Sequence, residues 1–322
     1  MNICQINIKK FCYNIGMKLL LKFCLFFIVI LIIISIAASL YFFKVAQVRG
    51  PKSFINESNT PTSSPIYQDE KEFLKLNKET LTLTNDKLKL TAWYVPAEKT
   101  TNKTVIVVHG FNAKKEEMAA YGMLFHKLGY NVLMPDNRAH GASEGKLIGY
   151  GVTDSRDLIK WTERLVKQNP NSEITYFGLS MGAATVMMAS GQDLPKNVKR
   201  IIEDCGYSSV WDELRYQAKS MYGLPAFPIL YEVSAISKLS AGFSYGSSEA
   251  SSLVALSHNQ LPTLFIHGDA DDFVPTTMVH DNYAATKGPK MLWIVKHAKH
   301  AQSLTTDKTG YYAKISEFFD KY

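Results

Sequence analysis

Short apolar runs alternate with amphipathic segments from residue 103 onward, and this alternation limits the folds open to the chain. The apolar runs have the length of buried strands, and the segments between them have the length and pattern of helices. Strands separated by helices predict an α/β fold, with a mostly parallel central sheet and helices on both faces. The predicted strands are 104–108, 130–134, 173–177, 198–202, 262–266 and 290–295, and the predicted helices are 114–128, 153–168, 181–190, 276–286 and 309–321.

Two segments depart from this rhythm. Residues 80–95 alternate apolar and polar side chains on either side of Asn85-Asp86, which predicts a β-hairpin before the parallel part of the sheet. Residues of about 207–257 are rich in Ser, Tyr and Pro and show no clear strand pattern. We interpret this segment as a mostly helical cap insertion that covers the functional site, with an ordinary surface excursion as the alternative.

An uncharged stretch rich in Ile, Leu and Phe runs from Phe23 to Phe43. As a helix rising about 1.5 Å per residue, it is long enough to cross a hydrocarbon layer about 30 Å thick. A cleaved signal peptide and a buried core helix are the alternatives. Signal peptides have shorter apolar regions that end in small residues, whereas bulky residues 40–43 follow the small cluster 37–39 here. The sequence therefore predicts an uncleaved, single-pass transmembrane anchor over 23–43.

Basic residues on the two sides of this anchor predict its orientation. Four lysines precede the span and three basic residues follow it closely, an excess that favours a cytoplasmic amino terminus at 1–22. The rest of the chain would then lie outside a bacterial cell membrane. Residues 50–65 are rich in Ser, Thr, Asn and Pro, and we predict that 44–66 is a solvated linker.

Charge and cysteine content narrow the possible partners. The chain carries 36 basic and 29 acidic residues, but residues 1–52 hold seven of the basic ones and no acid. The remainder is neutral, which argues against a nucleic-acid partner. Cys4, Cys12 and Cys24 precede or lie within the span, so Cys205 is alone in the rest of the chain and no disulfide is expected there.

The strongest motif is GLSMG at 178–182, between a predicted strand and a predicted helix. A serine on such a tight turn has its hydroxyl lifted out of the sheet, and the flanking glycines avoid clashes with the neighbouring strand or helix. The amino terminus of the helix directs backbone N–H groups to the place where an oxyanion would form. Ser180 is therefore a candidate nucleophile.

A serine nucleophile needs a base and an acid that orients the base. HGDADDFVP at 267–275 follows one predicted strand, and KHAKHAQS, which contains His300, follows the next. The chain order Ser180, Asp271, His300 matches that of one known class of serine hydrolases.

Four motifs together carry a resemblance to a known family. They are HGF at 109–111, DNRAHGASEG at 136–145, the GLSMG elbow and the HGDADDFVP segment. From about residue 67 to 322 the chain resembles the α/β-hydrolase superfamily, and within it the membrane-anchored bacterial serine aminopeptidase-like and lysophospholipase-like esterases. The resemblance implies the α/β-hydrolase fold with a helical cap, and a domain over 67–322.

The resemblance also implies roles for single residues. Ser180 would be the nucleophile, His300 the general base and Asp271 the acid that orients it. The backbone N–H groups of Phe111 and Met181 would form the oxyanion hole. The family often has Gly three residues before the catalytic His, where this chain has His297, so His297 stays open as a second base. Asp269, Asp272 and Asp204 stay open as alternative acids.

The remaining polar motif residues are interpreted as structural. His109 and His140 would hydrogen-bond loops around the site, and Asp136 with Arg138 would form an ion pair that holds a loop. Cys205 has no His partner or metal-ligand spacing in the sequence, and neither HExxH, GxGxxG after a strand nor a P-loop occurs. We therefore predict no metal and no cofactor.

The resulting hypothesis is a membrane-anchored serine hydrolase that cleaves carboxylic esters of small or lipid-like molecules. A peptidase of the serine aminopeptidase type is the alternative, and Glu213 with Glu232 in the insertion could hold a substrate amino terminus if the two carboxylates converge. An acyltransferase and a non-catalytic binding protein of the same fold are further alternatives. Oligomeric state leaves no signal in the sequence.

Overall fold

A computed structural model describes the backbone of residues 3–52 and 60–322 and the side chains of 16–52 and 60–322. Its centre is an eight-stranded sheet in the order β1-β2-β4-β3-β5-β6-β7-β8. The strands are β1 Glu79–Asn85, β2 Leu88–Val95, β3 Lys103–Val108, β4 Asn131–Pro135, β5 Glu173–Leu179, β6 Val198–Asp204, β7 Thr263–Gly268 and β8 Lys290–Val295.

Helices connect most of these strands. They are α1 Ile3–Gln47, α2 Tyr67–Lys75, α3 Ala119–Lys127, α4 Val152–Gln168, α5 Met181–Ser190, α6 Val210–Tyr222, α7 Ile229–Ala241, α8 Ser252–Leu256, α9 Thr277–Ala285, α10 Ser303–Thr306 and α11 Lys308–Lys321. Short 3₁₀ helices at Lys115–Met118 and Ser248–Ala250 precede α3 and α8.

The predicted sheet and hairpin are confirmed. Strand β1 pairs antiparallel with β2, and the turn between them places Asp86 and Lys87 at φ 48° and 65°. Such paired left-handed residues are typical of a two-residue hairpin turn whose twist matches that of the strands. Strand β2 is also antiparallel to β4, and the remaining pairs are parallel.

Strand β3 explains why the central apolar runs show no alternation. Val105 and Val107 pack into a core with α3 and α11, whereas Ile106 and Val108 pack into a second core with α4 and α5. Successive side chains of a strand point to opposite faces, so a sheet covered on both sides needs apolar residues at every position. The sheet therefore has one layer of helices on each face.

The cap insertion is helical, as predicted. Between β6 and β7 the chain forms α6, α7 and α8 instead of a single crossover helix. Helix α2 is not among the predicted elements. Its Phe73 is fully buried against α3, where Gly122 leaves the space that the phenyl ring occupies.

Helix α1 extends well beyond the predicted span of 23–43. It is long and apolar enough from Gly16 to Gln47 to be a candidate membrane span. Large apolar side chains from Leu19 to Ile34 are mostly more than half exposed, whereas Ser39 and Gln47 are fully buried. The apolar side chains of residues 19–34 are thus mostly not covered by the domain, whereas Ser39 and Gln47 are packed into it.

The predicted linker at 44–66 needs correction for its first nine residues. Residues 44–47 complete α1, and the side chain of Gln47 bonds to the Ile148 carbonyl and to the Tyr245 hydroxyl. The guanidinium of Arg49 donates to the carbonyls of Gly141 and Ser143. Residues 44–52 therefore belong to the folded domain, while 53–59 lie outside the described residues.

Two hydroxyls attach α1 to the cap. Ser35 and Ser39 lie one turn apart on α1 and donate to the two carboxylate oxygens of Glu232 on α7, at 2.8 and 2.6 Å. Hydrogen bonds to a charged acceptor contribute about 1.5–3 kcal/mol each when partly buried. This contact joins segments almost 200 residues apart.

We expect Glu232→Ala to lower the free energy of unfolding by about 3 kcal/mol or more, because two hydroxyls lose their acceptor. Thermal unfolding of the detergent-solubilised full chain measures the change. Glu249→Ala is the matched control, since its ion pair with Arg156 is solvent-exposed and such pairs contribute about 0–1 kcal/mol. Equal shifts in both variants would contradict the prediction.

Candidate active site

Ser180 lies on a strained turn between β5 and α5. Its φ is 54° and its ψ −114°, a conformation that residues other than Gly rarely adopt. The Ser180 N–H donates to the carbonyl of Asp204 at the end of β6 at 2.8 Å, which helps to hold the turn. The side chain therefore stands above the carboxyl end of the sheet.

Both glycines of the GLSMG motif are sterically required, as the sequence analysis predicts. A Cβ on Gly178 would overlap the carbonyl group of Gly182, and a Cβ on Gly182 would overlap the carbonyl group of Val108 on β3. Helix α5 thus begins in direct contact with the ends of two strands. Only residues without a side chain permit this approach.

The fold brings Ser180, His300 and Asp271 together. Nε2 of His300 lies 2.8 Å from Oγ of Ser180, and Nδ1 of His300 lies 2.8 Å from Oδ2 of Asp271. The three residues follow β5, β7 and β8, which end at the same edge of the parallel sheet. The imidazole can therefore accept the hydroxyl proton on one nitrogen while it donates to the carboxylate from the other.

Asp271 is held as a carboxylate. Its Oδ1 accepts the N–H groups of Phe273 and Val274 at 3.0 and 2.9 Å, and Nε2 of His267 lies 3.2 Å from Oδ2. Burial by itself would raise the pKa of Asp271, but the hydrogen bonds from His267 and His300 outweigh it. The pKa therefore falls well below its usual range.

The alternative acids are engaged elsewhere. An oxygen of Asp269 accepts the N–H of His297, and Asp272 is exposed. Asp204 is fully buried and accepts the hydroxyls of Ser303 and Tyr311, and burial raises its pKa to about 6. Among the described residues, Asp271 is the carboxylate that hydrogen-bonds His300.

His297 occupies a position where the backbone favours glycine. Its φ is 61°, in the left-handed region that glycine adopts without strain. This explains why the family that the chain resembles often has Gly at this position. The imidazole is exposed, and the backbone N–H donates to Asp269. His300, three residues later, is the histidine that reaches Ser180.

Phe111 and Met181 lie next to the hydroxyl of Ser180. Both line the same cavity as Ser180. A Cβ built on Gly110, the residue before Phe111, would lie 3.5 Å from Cβ of Ser180, so the end of β3 closely approaches the serine. This is the point where the strand order reverses, from β4 on one side of β3 to β5 on the other.

The two motif histidines have loop partners on both ring nitrogens. His109 lies 3.0 Å from the N–H of Asn137 and 2.8 Å from the carbonyl of Gly110. His140 contacts the N–H of Asn112 and the carbonyl of Arg138 in the same way. Burial lowers the pKa of both imidazoles, that of His140 to about 3, so both are neutral.

The expected ion pair between Asp136 and Arg138 is wrong. Asp136 pairs with Lys115 at 2.6 Å, and Arg138 forms two hydrogen bonds with Asp157 on α4. Asp136 and Arg138 lie two residues apart on one loop, and each side chain pairs with a residue of a different segment. Both pairs nevertheless stabilise the loop, as expected of a structural role.

Cys205 has a histidine neighbour that its position in the sequence does not reveal. Its sulfur lies within 4.8 Å of ligand atoms of Asp271 and His300, a grouping that could in principle hold a metal ion. Both imidazole nitrogens already face Ser180 and Asp271, however. Burial raises the pKa of the Cys205 thiol, which disfavours the thiolate that a metal needs.

The two cap carboxylates do not converge. Glu213 is buried in the wall of the cavity next to Ser180, where Gln217 donates to its Oε1 and its Oε2 has no partner. Burial raises the pKa of Glu213 to about 8, so it is neutral at pH 7. Glu232 faces Ser35 and Ser39 of α1 instead. A paired acidic clamp is therefore not formed by these residues.

The cavity that contains Ser180 has mostly apolar walls. Cap helices α6 and α7 cover it, and the end of α1 forms part of one side. The α1 residues were missed in the sequence analysis because no local pattern links a candidate membrane helix to a site more than 130 residues later. They are Phe42, Val45 and Ala46.

The chain is similar to several known proteins. A family model described as the alpha/beta hydrolase fold matches residues 103–224. The chain is 34% identical to the uncharacterized protein YqkD of Bacillus subtilis over 228 residues, 70% of this chain and 74% of that protein. It is 26% identical to the uncharacterized protein Rv2307c of Mycobacterium tuberculosis over 282 residues, 87% of this chain and 90% of that protein.

Solved structures share the fold. The esterase Pf2001 of Pyrococcus furiosus has a TM-score of 0.64 and 23% identity, covering 85% of this chain and 99% of its own. The acylaminoacyl peptidase of Pyrococcus horikoshii has a TM-score of 0.57 and 18% identity, covering 78% of this chain and 43% of its own. At such identities the likeness concerns the fold alone.

We expect Gly182→Ala to lower the free energy of unfolding by about 1–3 kcal/mol, because the added methyl group overlaps the carbonyl of Val108. Chemical denaturation in detergent measures the change. Gly246→Ala is the control, since a Cβ there meets open space. An unchanged stability of the Gly182 variant would contradict the steric argument.

Proposed function

The chain belongs to the α/β-hydrolase superfamily, and we propose that it is a membrane-anchored serine hydrolase that cleaves carboxylic esters. The observation that carries the proposal is the hydrogen-bond chain in which His300 bridges Ser180 and Asp271, at 2.8 Å on each side. Ser180, at one end of these hydrogen bonds, lines a cavity with apolar sides, which suits the acyl part of an ester.

The first half of the proposed reaction forms an acyl-enzyme. Ser180 Oγ attacks the ester carbonyl carbon while its proton passes to Nε2 of His300. The imidazolium that forms is stabilised by the carboxylate of Asp271 on Nδ1. His300 then returns the proton to the leaving alkoxide oxygen, the carbon–oxygen bond breaks, and the alcohol departs.

The second half releases the acid. Water gives a proton to His300 Nε2 as its oxygen attacks the acyl carbon, and the proton returns to Ser180 Oγ when the acyl–serine bond breaks. In both halves a negative charge develops on the carbonyl oxygen. We propose that the backbone N–H groups of Phe111 and Met181 stabilise it, with the amino terminus of α5 adding to the effect.

The state of the carboxyl group that borders the cavity favours ester substrates over peptide substrates. Glu213 alone of the two cap acids borders it, and the raised pKa of its carboxyl leaves it neutral at pH 7. A substrate ammonium group would find no paired carboxylates there. Peptidase activity of the serine aminopeptidase type remains the second candidate because acylaminoacyl peptidase shares the fold.

The proposed topology has the amino terminus in the cytoplasm and the catalytic domain outside the cell. Lys18 and Lys22 precede the uncharged span 23–43, as cytoplasmic lysines commonly do. The packed end of α1 would hold the domain directly against the outer face of the membrane.

Ser180→Ala should lower the kcat/KM of the full chain for 4-nitrophenyl esters by about 10⁴-fold or more, because the nucleophile is lost. Asp271→Asn should cost about 10⁴-fold by removing the charge that stabilises the imidazolium. Ser257→Ala, at a half-buried cap position outside the cavity lining, is the control. Activity retained in Ser180→Ala would refute the proposal, and Ser180-dependent hydrolysis of aminoacyl nitroanilides alone would favour the peptidase.

The ionisation of Glu213 should shape the alkaline side of the pH profile. Since burial raises its pKa to about 8, the side chain is neutral below that pH and becomes a buried anion above it. We expect KM for an uncharged ester to rise above pH 8 in the wild type, because a charge in the apolar wall disfavours the acyl group. Glu213→Gln should remove that rise, and an identical KM profile in both proteins would contradict this role.

A further inference from the structure

We infer that the end of α1 forms part of the acyl-binding site, and that the substrate is a long-chain acyl ester of a lipid that enters from the bilayer between α1 and α6. This inference rests on the proposed esterase function and names its substrate class. It joins two features that the sequence keeps apart, the candidate membrane helix and the catalytic domain.

The wall of the cavity is built jointly by α1 and the cap. Phe42, Val45 and Ala46 have the spacing of one helical face, and this face borders the cavity. Helices α6 and α7 provide the apolar residues around it, namely Leu214, Ala218, Met221, Ile229, Leu230 and Val233. An acyl chain bound to Ser180 would therefore lie against the helix that enters the membrane.

The hydroxyls of three tyrosines that line this cavity are already paired. The hydroxyl of Tyr150 donates to the carbonyl of Ala46, and that of Tyr207 donates to the carbonyl of Tyr150. Tyr245 donates to the side chain of Gln47. None of the described residues that line the cavity is Lys or Arg. The cavity therefore suits an apolar chain, and a charged headgroup would stay outside it.

Two of the residues that line the cavity lie at the exposed end of α6, in contact with α1. Met221 and Tyr222 line the cavity and are also 37% and 44% exposed, so they mark its rim. The ring of Tyr222 packs edge-on against Phe42 at 5.0 Å. Phe42 follows the exposed Ile34 by eight residues, which is about 12 Å along a helix. A lipid in the outer leaflet would thus reach the rim with little displacement.

The cap also presents aromatic side chains near this rim. Phe227 is 74% exposed and Tyr231 55%, and their rings lie 6.1 Å apart at the start of α7. Exposed aromatic residues of this kind are typical of the membrane–water interface. They lie at the start of α7, the helix whose Glu232 bonds to α1, and give the cap a surface suited to the bilayer from which the substrate would come.

The end of α1 is held rigidly enough to act as a wall. Ser35 and Ser39 bond to Glu232 at one point, and Gln47 bonds to Ile148 and Tyr245 further along. The ammonium of Lys52 donates at 2.7 Å to the carbonyls of Val45, in the last turn of α1, and Val48, just after it. Substitutions on the cavity face of α1 should therefore change chain-length selectivity directly.

The experiment uses the full chain in phosphatidylcholine vesicles with 4-nitrophenyl acetate and 4-nitrophenyl palmitate. Val45→Trp fills the α1 side of the cavity, and we expect the palmitate-to-acetate ratio of kcat/KM to fall about tenfold or more. Leu40→Trp places the same side chain at an exposed position of the same helix and should leave the ratio within about twofold of the wild type.

Val45→Ala covers the case in which the tryptophan variant does not fold. It enlarges the cavity and should move the optimum in a series of acyl chain lengths towards longer chains. An unchanged ratio and an unchanged optimum would overturn the inference, and so would equal effects of Val45→Trp and Leu40→Trp. If the wild type hydrolyses acetate in a Ser180-dependent way while the α1 variants change nothing, the inference fails and the proposed function stands. If the wild type hydrolyses neither ester, the proposed function itself is refuted.

Discussion

The close approach of α5 to the ends of β3 and β5 is the constraint on which the site depends. Two glycines allow it, because a methyl group at either position would overlap a backbone carbonyl group. The approach forces Ser180 into a left-handed conformation and directs its hydroxyl away from the sheet. Such strain costs on the order of 1–3 kcal/mol and persists only where the surrounding structure stabilises it. Two fully packed cores, one on each face of the sheet, provide that support.

The charge of Asp271 is the second constraint. A carboxylate so buried would ordinarily take up a proton, yet two backbone N–H groups and the imidazoles of His267 and His300 surround it. The resulting low pKa keeps a negative charge next to His300. Asp204, equally near the carboxyl end of the sheet, shows the contrast. Its partners are the hydroxyls of Ser303 and Tyr311, and burial raises its pKa. Asp204 is the more deeply buried of the two, and its neutral hydroxyl donors do not offset that burial.

Helix α1 unites the candidate membrane span with the catalytic domain. Its exposed part has no contact with the domain that would hide its apolar side chains, whereas its last turns carry buried polar contacts to the cap and to the loop before α4. A tether would permit the domain to rotate freely relative to the membrane. In the proposed membrane-anchored protein, a packed helix end would instead give the cavity a defined side towards the bilayer, and this geometry underlies the substrate class that we infer.

Local patterns in the sequence determined the strands, the hairpin and the serine turn, because apolar periodicity and glycine positions act over a few residues. The chain order of Ser180, Asp271 and His300 also indicated these three side chains as the candidate nucleophile, acid and base. Tertiary structure alone decided the partners of Asp136 and Arg138, the nearness of Cys205 to His300, and the separation of Glu213 from Glu232. It alone placed Phe42, Val45 and Ala46 in the cavity wall. These contacts join segments from 19 to almost 200 residues apart, and a side chain's partner at that range depends on how the elements pack and not on its neighbours in the chain.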